Sequence, residues 1–489
     1  MIIARRSFLG FIGLGLAGGT VGPDYLKPDV TTPEMFRYQI NTGKAYANES
    51  WWQLFSDRVL HRLVNQSLAQ NWDITIATAR VEEAAGVLIT RGAPLYPQVG
   101  YNGLGQRERL SNKLPGATTS ISPNPQSLYE PLFTASWEID LWGRIRRQQQ
   151  AAEANLLGAE EARRGVILTL ASAVATTYFK LRALDAQLSI SKETLANYAK
   201  LKNLFGERFR YGQVSEVVVA QITAQYENIA ASIPLIEQEI AKTENALSIL
   251  VGDYPHGISR GASFAGIRLP KVPSDLPSDM LRQRPDIAQA EQELIAANAR
   301  IGAAMAQYYP QLSLTGSLGY ASGALSNLLT GPAGVWAIAG TLAGPIFDAG
   351  AIKGQVQATE AQKQAALANY VKTIHIAFQE MSDSLIGYQK SLESLAARNR
   401  AIKALQTTVR LSFLKFEEGQ ESYTTVLTAE NDLYSAQLEA INTRFRAFAS
   451  LVDLYKAMGG GWTLNVGPDP SLASSPKQAT KTAKQATGG

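Results

Sequence analysis

Apolar residues fall into two kinds of period along this chain. From Gly350 to Gly419 more than sixty residues run without a proline, and Leu385, Tyr388, Leu392, Leu395 and Ile402 follow a 3-then-4 spacing in which Asn399 fills one step. This is the pattern of a long helix packed against another helix. At a rise of about 1.5 Å per residue it would reach roughly 100 Å, too long to be buried alone. In Phe133-Thr134-Ala135-Ser136-Trp137-Glu138-Ile139-Asp140-Leu141 apolar and polar residues alternate instead, which predicts a strand with one greasy and one wet face. Phe133, Ala135, Trp137 and Ile139 share the first face, and Thr134, Ser136, Glu138 and Asp140 the second.

Both patterns occur twice. Gly143, Phe209, Gly212, Gln213, Ser215 and Gly252 recur 207 positions on as Gly350, Phe416, Gly419, Gln420, Ser422 and Gly459. Upstream, Asp73-Ile74 and Tyr96-Pro97-Gln98 recur 213 positions on as Asp286-Ile287 and Tyr309-Pro310-Gln311. These fixed offsets make the chain a duplication, its length difference lying between Gln98 and Gly143. The first repeat spans residues 20–252, with strands expected near 99–109 and 132–141 and long helices over 144–250. A Gly- and Pro-rich connector over 253–279 follows. The second repeat, 280–462, carries strands near 312–320 and 335–342, the latter less clean, and helices over 351–458. Ahead of the first strand, 51–70 and 72–93 read as two amphipathic helices, the second ended by Pro94 and Pro97. Pro115, Pro123, Pro125 and Pro131 mark a polar loop before the second strand.

Each strand has about the nine residues that cross a bilayer at a tilt. Tyr129, Trp137, Trp142, Tyr320 and Trp336 lie in or beside them, where an aromatic belt would place them. A soluble sheet with one buried face would alternate in the same way. Four strands cannot close a barrel, so in lipid several chains would have to share one. At the ends, residues 1–19 read as a signal peptide, in which Arg5-Arg6 precede an apolar run from Phe8 to Ala17 and are also similar to a twin-arginine signal. Residues 463–489 read as a disordered tail. No other apolar stretch of eighteen residues is evident as a membrane helix.

Composition removes most chemistry. The 489 residues include no cysteine, which excludes disulfides, thiolate metal sites and cysteine nucleophiles. His61, His256 and His375 stand alone, acidic pairs such as Glu82-Glu83 point apart on a helix, and a net charge of +4 is spread thinly, so no nucleic-acid footprint arises. Gly13-Leu14-Gly15-Leu16-Ala17-Gly18 fits a dinucleotide fingerprint but has no strand before it. The expectation is a non-enzyme without cofactor or metal. At the two turns, Gly212 and Gly419 supply a left-handed backbone, and Ser215 and Ser422 are placed to cap the returning helices. Such tips, with Gln213 and Gln420, are also where a partner would dock.

The chain resembles the outer-membrane efflux ducts of the TolC and OprM family, in its heavy-metal and drug-efflux lipoprotein branch. Gly22-Pro23-Asp24-Tyr25, Trp51-Trp52, Asp140-Leu141-Trp142-Gly143-Arg144, Arg284-Pro285-Asp286-Ile287, Tyr309-Pro310, Pro345-Ile346-Phe347-Asp348-Ala349-Gly350 and Gly459-Gly460-Gly461-Trp462 carry the resemblance. It implies a mainly α fold with a β-barrel segment, four transmembrane strands and long coiled-coil helices per chain. A homotrimer would form a shared 12-stranded barrel in the outer membrane of a Gram-negative type envelope and a periplasmic α-helical tunnel. Implied partners are a periplasmic adaptor (membrane fusion) protein at Gly212, Gln213, Ser215, Gly419, Gln420 and Ser422, an inner-membrane RND-type pump, and outer-membrane lipid against Phe133, Trp137, Ile139 and Trp336. The function implied is passive exit of drugs, metal ions or other small solutes. Type I protein secretion, or an exported coiled-coil scaffold without a pore, are the alternatives. Two departures stand out: Gly19 replaces the family's acylated cysteine, and Thr425 and Thr428 occupy the positions of an acidic periplasmic aperture, with Glu430 and Asp432 further along.

Overall fold

A computed structural model describes residues 19–33, 35–38, 50–109, 125–270 and 284–460. The expected signal peptide and tail lie outside the described residues, apart from Gly19. The chain forms two compact units. Among the described residues, 19–30, 79–109, 125–160 and 289–371 make the first, and 31–33, 35–38, 50–78, 161–270, 284–288 and 372–460 the second.

The first unit holds one antiparallel sheet in the order β1 (Gln98–Glu108), β2 (Gln126–Ile139), β3 (Gln311–Tyr320), β4 (Gly334–Ala343). β2 begins well before its expected start, so Pro131 lies in a strand and not in the loop. The sheet tolerates it for a local reason. Pairing with β3 stops at Leu132 opposite Gly319 and resumes only as the single bridge Tyr129–Ser322, so the missing proline amide falls in an interruption of the ladder. β2 also stops short of Asp140. That carboxylate accepts hydrogen bonds from the backbone amides of Ile145 (3.0 Å) and Arg146 (2.9 Å), capping α3 (Arg144–Arg210), and so does not belong to the sheet's wet face.

Helices in this unit approach closely because their contacts are small. Ala151 and Ala154 of α3 pack on Ala296 and Ala299 of α5 (Pro285–Met305), which repeats α2 (Trp72–Gly92) at the 213-residue offset. The N-terminal strap is equally tight. At Gly22, φ is +95° and a Cβ would lie 2.4 Å from the Cα of Gly302, so only glycine fits. Arg147, almost fully buried, donates to Val21 O (3.3 Å), Gly22 O (3.4 Å) and Asp24 (2.7 Å) and holds the strap down.

The second unit is centred on aromatic side chains. A short 3-10 turn, Trp51–Leu54, precedes α1 (Arg58–Gln70), so the helix expected over 51–70 is broken. Asp57 breaks it by capping α1: its buried carboxylate accepts from Val59 N (2.8 Å), Leu60 N (3.3 Å), Tyr178 OH (2.9 Å) and Ala262 N (3.1 Å). The turn places Trp51 flat on Tyr455, with ring centroids 5.6 Å apart, and Phe55 against Phe179 at 4.9 Å. α3 and α4 (Glu216–Leu250) form one long hairpin, α6 (Ala351–Glu417) and α7 (Tyr423–Ala457) the other. One 18-residue window of α3 reaches a mean hydropathy of 1.2, but 67% of it is buried in the protein, so core packing accounts for its apolarity.

Candidate functional site

Register sorts the sheet into two faces of opposite character. Directly paired residues share a face, and one row across all four strands reads Tyr101, Phe133, Leu318, Trp336. The next row reads Val99, Ala135, Gly316, Ile338. Rows on the opposite face read Gly100, Thr134, Ser317, Ala337 and Gln98, Ser136, Thr315, Ala339. The apolar row is uncovered within the chain, with Tyr101 87%, Phe133 66%, Leu318 63% and Trp336 75% exposed. Exposure of that extent over a contiguous face calls for a partner surface. Trp137 and Ile139 lie on the same face but are half-buried, and the Trp137 indole N–H donates to Leu95 O at 2.9 Å. Trp142 is likewise engaged, donating to Pro310 O at 2.7 Å and stacking on Tyr309. Among the described residues, β1 and β4 are each paired on one side only.

The two hairpin turns are built alike. In the first, Gln213 N donates to Arg208 O (2.8 Å) and Gly212 N to Phe209 O (2.8 Å); in the second, Gln420 N donates to Lys415 O (2.9 Å) and Gly419 N to Phe416 O (3.0 Å). This double bond closes a helix through a left-handed residue, here Gly212 at φ +70° and Gly419 at +73°. Among the described residues no atom lies within 4 Å of a Cβ built at either glycine, so backbone conformation alone demands them. Ser215 and Ser422 occupy the N-cap positions with extended backbones, but neither side chain caps; only their carbonyls accept, from Val218 N and Thr425 N, both at 3.2 Å. Gly212, Gln213, Ser215, Gly419 and Gln420 are exposed, and Ser422 is exposed too.

Behind the turns the hairpins pack on each other. Tyr198 and Phe205 of α3, Ile222 and Ile229 of α4, and Tyr423, Val426 and Leu427 of α7 form one buried cluster, with Phe205 and Tyr423 ring centroids 4.5 Å apart. Polar pairs tie α7 to its neighbours: Gln187 donates to Asn442 (2.7 Å), Ser191 and Tyr434 share a hydrogen bond (2.8 Å), and Gln225 donates to Asn431. Thr425 and Thr428 are exposed on the other side of α7, and Asp432, one turn on, is exposed on the same stripe. Thr428 spends its hydroxyl proton on Thr424 O (3.0 Å). Gly19 is exposed beside the strap.

Glu430, which the sequence placed with Asp432 just beyond the aperture threonines, turns the other way. It faces the buried cluster, where its Oε2 and the hydroxyls of Tyr198 and Tyr423 lie buried without hydrogen-bond partners among the described residues. Burial raises its carboxyl above the usual 4.5, and the approach of the Tyr198 hydroxyl offsets only part of that. The folded protein therefore holds this proton more tightly than the unfolded chain does. The group's contribution to stability falls as pH rises from about 4.5 to the raised value, by about 1.4 kcal/mol for each pH unit between the two. Glu430→Gln, neutral throughout, should remove that decline. Urea unfolding of both proteins from about pH 5 to pH 8 checks it; parallel curves would contradict the assignment.

The model of the outer membrane efflux protein family matches residues 63–253 and 276–460. The cation efflux system protein CusC of Escherichia coli O6:H1 is 31% identical over 458 residues, covering 92% of this chain and 97% of that protein. TtgC of Pseudomonas putida, named a probable efflux pump outer membrane protein, is 33% identical over 475 residues, covering 95% and 98%. The crystal structure of the open state of the MtrE outer membrane channel from Neisseria gonorrhoeae superposes with a TM-score of 0.81 at 28% identity, covering 91% of this chain and 99% of that one.

Proposed function

As a member of the outer membrane efflux protein family the chain is an outer-membrane efflux channel, and we propose that three copies close one 12-stranded barrel above a periplasmic tunnel of their long helices. The family and the matched structures are channels, so the working part is a passage and not a catalytic group. The observation that carries the proposal is the sheet: one uncovered apolar face, one polar face, and two edges without partners among the described residues. In a bilayer an unpaired edge costs several kcal/mol per backbone group, and pairing β4 of one copy with β1 of the next removes both edges. Phe133, Trp336 and their rows then meet lipid. Trp137 and Ile139, engaged nearer the end of β2, sit at the boundary.

Membership also implies work with an adaptor and an inner-membrane pump. The exposed turns at Gly212-Gln213 and Gly419-Gln420 are the docking points for the adaptor, and Thr425 and Thr428 line the periplasmic aperture, with Asp432 supplying charge one turn away. Solutes of the kinds named for relatives, cations for CusC and toluene for a TtgC of another Pseudomonas putida strain, suit a water-filled duct that needs little selectivity. Gly19 has no thiol to acylate, and Arg147 ties down the strap that follows it. A photo-crosslinking residue at Gln213 or Gln420 should capture the adaptor in cells, whereas one at the exposed Glu153, at the other end of α3 in sequence, should not. Equal capture from all three sites would refute docking at the turns.

A further inference from the structure

The second unit contains a cleft of about 540 Å³ between α3, α6, α7 and the connector, within the size range of small-molecule sites. Ile190, Leu395, Ile402, Ile441 and Phe264 make most of its wall apolar. Arg444 stands on the same wall, and among the described residues its charge has no acidic partner. Its Nη2 donates to the carbonyl oxygens of Ala265 (3.0 Å) and Ile267 (2.8 Å), and its Nε is buried with no hydrogen-bond partner among those residues. The Phe264 and Phe448 rings lie 5.7 and 5.8 Å from the guanidinium, contacts that leave its charge unneutralised.

Asp185 is the acidic residue on the lining, and it is already engaged by Arg182 and by Arg260 at 3.0 Å. Arg182 and Arg444 against Asp185 leave the lining one net positive charge. A buried donor without an acceptor is costly, more so when charged, and an incoming anion would recover that cost. Burial alone shifts the Arg444 pKa downward, the direction expected of a cation short of a counter-ion.

We propose that this cleft binds an amphiphilic monocarboxylate, its carboxylate on Arg444 and its apolar chain along Ile190, Ile402 and Ile441. A positively charged amphiphile meets the wrong charge, and an uncharged alcohol leaves Arg444 uncompensated. The cleft's occupancy is read without transport.

The test is equilibrium dialysis of labelled dodecanoate against the full-length protein in maltoside micelles, with protein-free micelles as the baseline. Saturable binding of about one dodecanoate per chain is expected, weakened about tenfold or more by Arg444→Gln, because a charge-assisted hydrogen bond contributes roughly 1.5–3 kcal/mol. Ile402→Trp fills the cleft while leaving the Arg444 carbonyl bonds in place, and should abolish binding in a protein that melts normally. Dodecyltrimethylammonium should show only micelle partitioning. Dodecanoate uptake equal to the micelle baseline, binding unchanged by Ile402→Trp, or equal binding of the cationic amphiphile would overturn the proposal.

Discussion

Placing a lysine at Phe133 or at Ile338 should empty the outer membrane of this protein. Both residues lie in the middle rows of the uncovered apolar face, 66% and 81% exposed, with no room in their own chain to withdraw. A lysine on the lipid face near the bilayer midplane costs about 2–4 kcal/mol. In the proposed barrel of three chains that becomes roughly 6–12 kcal/mol per particle, comparable with the whole stability of a typical domain. Thr134→Lys, one residue along β2 and on the other face, should assemble nearly normally, because it meets water. The readout is protein in the outer-membrane fraction. If Phe133→Lys and Thr134→Lys behave alike, the two faces do not divide lipid from water. Trp137 is a poorer probe, since losing its bond to Leu95 would perturb the fold by itself.

Arg284→Ala should give the largest loss of stability outside the membrane. This guanidinium is 5% exposed and joins three elements of the second unit: it donates to Asp286 (3.0 and 2.7 Å) at the start of α5, to Glu380 (2.7 Å) on α6, and to Ala457 O (3.1 Å) at the end of α7. Breaking a buried ion pair by removing one partner costs about 3–5 kcal/mol. Asp286 and Glu380 are 44% and 42% exposed, so water can take over part of their charge, and about 2–3 kcal/mol is expected instead. Arg284→Lys keeps the charge but not the planar fork, and should recover about half of the loss. Thermal unfolding of the detergent-solubilised protein measures both. An Ala variant as stable as the parent would mean that the three contacts are not formed together.

Much of this architecture could be read from residue order because it depends on local rules. The turns at Gly212 and Gly419 needed only a left-handed residue at the end of a long periodic run, and the duplication showed each turn twice. Alternation in β2 likewise sorted Phe133 to Ile139 between two faces before any pairing was known. What escaped depended on neighbours distant in sequence. Pro131 looked like a loop residue until β3 proved to interrupt its ladder there. Asp140 continued an alternation that in fact ends at Ile139, because capping two amides of α3 is worth more to it than one more position on the wet face. Glu430 read as one of two acids beyond the aperture threonines, since no local pattern shows that its carboxyl meets Tyr198 of α3 and that burial raises its pKa. Ser215 and Ser422 matched a capping pattern that their side chains do not complete. A helix end supplies its motif from four or five residues, whereas burial is decided by whichever helix arrives from elsewhere in the chain.

The shared barrel is tested most directly by the protein mass of the detergent-extracted particle, measured by light scattering with the detergent contribution subtracted. The account predicts three chains, 3 × 52.9 kDa less any processed leader, because four strands with two open edges cannot close alone. A monodisperse, folded particle of one chain that stays soluble without detergent would contradict it.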